Sequence, residues 1–137
     1  MDQSLDETPF KRSMLWKLYF VFITALSLFG MYDTFTLEGV GYPEYISLIT
    51  LIIATNGLFG FVFGKPFINA KFWAIFSVLY LIFGLLYLEI TDVDLLYDIP
   101  KEQHSIVWGI GWFVSIPGYL GLFLYGFSSK QIWANHA

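Results

Sequence analysis

Glu89, Asp92, Asp94 and Asp98 crowd into the run EITDVDLLYD, and oxygen clusters of that kind suit hard cations such as calcium. A calcium loop also needs a glycine at its sharp turn and a bidentate glutamate at its end. The run has neither, so it is expected to be an acidic, solvated loop, with Ile90, Val93 and Tyr97 spaced as on one face of a short interfacial helix. The two histidines, His104 and His136, flank the last apolar stretch from opposite ends, which prevents them from clamping one haem between helices. No HExxH or comparable metal spacing occurs. The sequence carries no cysteine, hence no disulfide, thiolate ligand or thiol redox centre. No nucleophile is paired with a base. These residues predict no catalytic group, no metal and no cofactor, and a chain that is not an enzyme.

The remaining polar groups lie inside apolar runs: Thr24, Ser27, Ser47, Thr50, Thr55, Asn56, Ser77 and Ser115. Thr55 and Asn56 form the one adjacent pair, and they are the candidate intramembrane polar site. An Asn in hydrocarbon gains about 1 kcal/mol from a partner on a neighbouring helix, so the pair is expected to act as interhelical glue. The alternative is a path for a neutral or amphiphilic substrate lined by Thr55, Asn56, Ser115 and a kink at Pro117. No Asp, Glu, Arg or His lies deep in any apolar run, and proton-coupled transport normally needs such a group.

The elements that must carry these residues follow from composition. The 137-residue chain is 57% hydrophobic, 21% aromatic and only 13% charged, more apolar surface than a small water-soluble core can hide. Four windows are long enough to cross about 30 Å of hydrocarbon as helices: Met14 to Tyr32, Pro43 to Gly64, Ala70 to Glu89 and His104 to Phe127. They are continuously apolar rather than alternating, which argues against barrel strands. Pro43 falls in the first turn of its helix, where the missing N–H costs nothing. Pro117 falls inside the fourth window and is expected to kink it near Phe113. The basic residues ahead of the first window resemble the start of a signal peptide, but an apolar run of spanning length predicts a retained span. The expected architecture is therefore a single all-α domain of four transmembrane helices in two consecutive hairpins, in contact with the lipid bilayer.

Charge predicts the orientation. Lys11, Arg12, Lys17, Lys65, Lys71 and Lys130 all fall at one side of such a bundle. Asp33, Glu38, Glu44, Glu89, Asp92, Asp94, Asp98 and Glu102 fall at the other, with Lys101 as the single base there. The positive-inside rule then makes both termini and the turn GKPFINAK cytoplasmic, in a plasma membrane or bacterial inner membrane. Trp16 and Trp73 are expected in the inner aromatic belt, Tyr42, Tyr45, Tyr87 and Trp108 in the outer one, and Trp133 on the inner surface.

Two segments, GLFGFVFGK (57–65) and GLFLYGFSSK (121–130), end their helices alike. Aligning Lys17 with Lys71 also brings Phe22, Phe29 and Gly30 onto Phe76, Phe83 and Gly84, so the sequence predicts two related hairpins about an axis along the membrane normal. Small residues mark where helices can touch: Gly57, Gly60 and Gly64 on the second span, Gly111, Ser115 and Gly118 on the fourth. They are expected to pack the monomer; the other outcome is contact with another membrane protein or a second copy. No feature points to nucleic acid. The function expected is that of an accessory or scaffolding subunit, with a small oligomeric transporter or flippase as the alternative.

Overall fold

A computed structural model describes residues 11–36, 38–39, 41–90 and 100–134. The acidic residues Asp92, Asp94 and Asp98, the proposed interfacial helix through Val93 and Tyr97, and His136 lie outside the described residues. Within them the chain is helical, with no strand. Helix α1 runs Met14–Thr36, α2 Tyr42–Phe63, α3 Ala70–Ile90 and α4 His104–Phe127, preceded by a 3-10 turn at Lys101–Gln103; a four-residue helix, α5, follows at Lys130–Trp133. Three of them, α1, α2 and α4, are long and apolar enough to cross a membrane. The fourth long helix, α3, has a shorter apolar stretch, Ala70–Leu86.

Local chemistry sets the ends. The first helix runs one turn past Tyr32, to Thr36, because Thr34 and Thr36 return their hydroxyls to the Gly30 and Tyr32 carbonyls. At the start of α2 the Glu44 carboxylate accepts the Gly41 N–H at 2.9 Å, and a proline occupies the first turn. Gly64 ends that helix in the left-handed region, at φ 65°, where a side chain would be strained. Five residues later Asn69 caps α3 by accepting the Phe72 N–H at 2.8 Å. Ile68 holds φ 63° between them, a conformation costly for a β-branched residue, so the turn must be fixed by what surrounds it. Pro117 lies within α4, which continues through it to Phe127.

The packing is extensive between α1 and α2, between α3 and α4, and between α2 and α4; α2 and α3 touch only lightly. Ala54, Leu58, Phe61, Val62, Trp73, Leu122, Tyr125 and Ile132 form the buried cluster. These residues gather toward the end where α2 stops and α3 starts. Toward the opposite end Ile106, Ile110 and Phe113 of α4 are exposed, and Gly109 and Gly111 have nothing within 4 Å of where a Cβ would stand.

Contacts across α2 and α4 are reciprocal. A Cβ on Gly57 would stand 2.7 Å from Leu122 Cδ2 and collide with the Trp73 ring. A Cβ on Gly121 would stand 2.8 Å from Leu58 Cδ1 and 3.2 Å from the Trp16 ring. Trp16 meets Phe61 edge-on at 5.0 Å, and Trp73 meets Tyr125 at 5.5 Å. The two Gly-Leu-Phe triplets thus exchange places, as they would about a twofold axis between α2 and α4. The register of the outer helices differs from the alignment of Lys17 with Lys71: the equivalent residues in space are Trp16 and Trp73, about one turn away. Packing on the glycines, rather than the position of the lysines, sets that register.

Candidate functional site

The residues expected to mark function separate in the structure. Thr55 lies between α1 and α2, but its hydroxyl donates to the Leu51 carbonyl of its own helix at 2.8 Å and reaches the Ser27 hydroxyl only at 3.5 Å. Asn56 is exposed, and its amide donates to the Ile52 carbonyl, also within α2. The expected partner on a neighbouring helix is thus not what Asn56 finds; at one residue beyond Thr55, about 100° around the helix, it points out of the contact. Thr24, Ser27, Thr50 and Ser115 likewise bond to carbonyls one turn back, the self-contained arrangement open to hydroxyls in helices. These hydroxyl and amide side chains therefore do not converge on a common point.

The small residues divide. Gly57 faces Trp73 and Leu122, and Gly60 faces the Tyr125 hydroxyl and the Lys65 carbonyl, so both serve contacts within the chain; Gly64 is the cap of α2. On α4, Gly118 faces the Tyr19 hydroxyl, 2.9 Å from where a Cβ would stand, while Gly111 faces open space. Ser115 sits between them with its hydroxyl on the Gly111 carbonyl.

Where polar groups do converge is at the tightly packed end, around Tyr125, which is fully buried. Its hydroxyl donates to the Lys65 carbonyl and accepts the Phe67 N–H at 3.0 Å. Trp73 donates its indole N–H to the Phe67 carbonyl at 2.6 Å. Trp133 of α5 donates to the Tyr125 carbonyl at 2.8 Å and lays its ring 4.8 Å from the tyrosine ring. Trp73, 1% exposed, is accordingly a packing residue of this end rather than a member of a surface belt, and the half-buried Trp133 packs on Tyr125. Arg12 completes the arrangement, with its Nε on the Phe61 carbonyl at 3.3 Å and its guanidinium 4.0 Å over the Phe61 ring; partial burial lowers its pKa from the usual range. The Ile68 conformation is held here: the Lys65 carbonyl and both backbone groups of Phe67 are tied to Tyr125 and Trp73.

A second convergence lies midway along α4. Pro117 lacks the N–H that a helix would use there, and Tyr19 of α1 reaches into this weakened turn, donating its hydroxyl to the Val114 carbonyl at 2.7 Å. Neither tyrosine carries a sequence signature of its role. The glycine opposite each, Gly60 for Tyr125 and Gly118 for Tyr19, was the legible half of each pair.

No protein-family model matches the chain, and no curated protein or solved structure is significantly similar to it.

Proposed function

We propose that the chain is an integral membrane protein of four transmembrane helices in two consecutive hairpins. Both termini face the cytoplasm, and it acts as a non-enzymatic accessory or scaffolding subunit through helix–helix contacts. The observation that carries this reading is that the described Thr24, Ser27, Thr55, Asn56 and Ser115 side chains close on the backbones of their own helices, and that the tyrosine hydroxyls that cross between elements, Tyr19 and Tyr125, end on backbone carbonyls; among the described residues these groups line no common polar path. The 21 residues of α3 would span about 30 Å, which supplies the fourth crossing. Six of the seven bases, all but Lys101, then share one end, and the positive-inside rule assigns that end to the cytoplasm.

Topology is tested by single cysteines and an impermeant thiol reagent in intact cells. Cysteines replacing Ser4, Asn69 and Ser129 are expected to be protected, and those replacing Thr36 and Gln103 to be labelled. Labelling at Asn69 from outside would refute the four-span arrangement with both ends inside. Purification from native membranes, followed by identification of any stoichiometric companion chain, tests the subunit role; a protein that is solitary in every mild detergent would overturn it.

A further inference from the structure

Beside the crossing of α3 and α4 lies an open trough of about 400 Å3, lined by Lys71, Ala74, Ile75, Val78, Leu79 and Phe127. The close approach of the two helices accounts for it. Gly126 stands so near α3 that a Cβ there would come within 2.7 Å of Ala74 Cα, so the backbones meet at this point and larger side chains flank the contact. Ile75, Val78, Leu79 and Phe127 are all substantially exposed along it. The lining is hydrocarbon, and at one end it includes the side chain of Lys71, an exposed residue in the first turn of α3.

We propose that this trough binds an acyl chain of an anionic phospholipid, with the lipid phosphate held by Lys71. The proposal rests on the membrane-spanning reading above. Length distinguishes a lipid tail from a partner helix. From Lys71 to Leu79 the helix rises about 12 Å, most of one leaflet's half of the roughly 30 Å hydrocarbon core. A transmembrane partner would call for a seam running the full depth; one lipid tail needs one leaflet. Charge selects the headgroup. At this end the described residues include Lys11, Arg12, Lys17, Lys65, Lys71 and Lys130 and no Asp or Glu, so among the described residues the charges that a phosphate at Lys71 would meet are cations; the sequence ahead of Lys11 also holds Asp2, Asp6 and Glu7. One base at a membrane surface favours an anionic lipid by roughly fivefold.

The test is native mass spectrometry of the full chain in mild detergent with equal amounts of dioleoyl phosphatidylglycerol and dioleoyl phosphatidylcholine. The unaltered protein is expected to retain roughly fivefold more of the anionic lipid. Lys71→Gln should reduce that to parity, Val78→Trp should lower both adducts by filling the trough, and Lys17→Gln should leave the excess in place. Equal adducts on the unaltered protein, or an excess that survives both Lys71→Gln and Val78→Trp, would overturn the proposal. So would a dimer that Val78→Trp dissolves, because the occupant would then be a second copy. Carbonate extraction of the expressed chain separates the two levels: an extractable protein sinks the membrane reading and this site together, whereas a retained protein without the lipid preference sinks only the site.

Discussion

Gly126 and Gly111 share a helix and a residue type, yet their surroundings demand opposite things of them. At Gly126 an added methyl group meets the Ala74 backbone, which cannot rotate away as a side chain could. Gly126→Ala must separate α3 from α4, and overpacking of that kind costs about 1–3 kcal/mol. At Gly111 the added methyl has nothing within 4 Å, and alanine is the better helix former by about 1 kcal/mol in water. Thermal melting in detergent should therefore show Gly126→Ala clearly lowered, and Gly111→Ala unchanged or raised. Equal losses at both would mean that α4 packs through its Gly111 face. The spacing of small residues along α4 does not distinguish the two glycines by what surrounds them. Gly111 belonged to a small-residue stripe and Gly126 did not, because spacing reveals which residues are on one side of a helix but not which side has a neighbour.

At the scale of elements, much was legible. The four long helices fall where the uninterrupted apolar runs fall, with ends within about a turn of those expected, because chain length between charges sets how far such a helix can run. The interior was not legible. In a soluble protein an apolar stripe announces the core, whereas here each helix is apolar all round and contacts depend on shape. Trp73 illustrates the ambiguity: near a basic turn it has the sequence position of a belt residue, but it is 1% exposed and seated in the notch at Gly57. Tyr125 illustrates the remedy, since a buried phenol must find partners and the short turn after α2 offers them. Tyr125→Phe keeps the ring and deletes the bonds to the Lys65 carbonyl and the Phe67 N–H. The expected cost is about 1–2 kcal/mol, read as a lower melting temperature together with faster hydrogen exchange at the amide of Phe67. A lower melting temperature with unchanged exchange there would place the loss elsewhere than in the turn.

Across the whole molecule the reciprocal notches tie α2 to α4. Leu58 fills the space at Gly121, and Leu122 fills the space at Gly57, so α2 and α4 are held by one contact made twice. The two copies are not equally tolerant. At Gly121 the nearest atom is the tip of Leu58, with the Trp16 ring next at 3.2 Å, whereas at Gly57 the Trp73 ring itself stands in the way. Gly121→Ala should therefore destabilise, and adding Leu58→Val, which withdraws the offending Cδ1, should recover part of the loss. That coupling is expected within the range of about 0.5–3 kcal/mol seen for residues in contact. Gly57→Ala should be the more damaging change, and Leu122→Val should recover little of it, because a ring anchored by its N–H on Phe67 cannot yield. Melting of the two single and two double variants, with Leu58→Val and Leu122→Val alone completing each cycle, measures both couplings. Additive losses at Gly121 and Leu58 would show that the α2–α4 contact is not the one holding the halves together, and equal rescue at both notches would show that Trp73 moves as freely as a leucine tip.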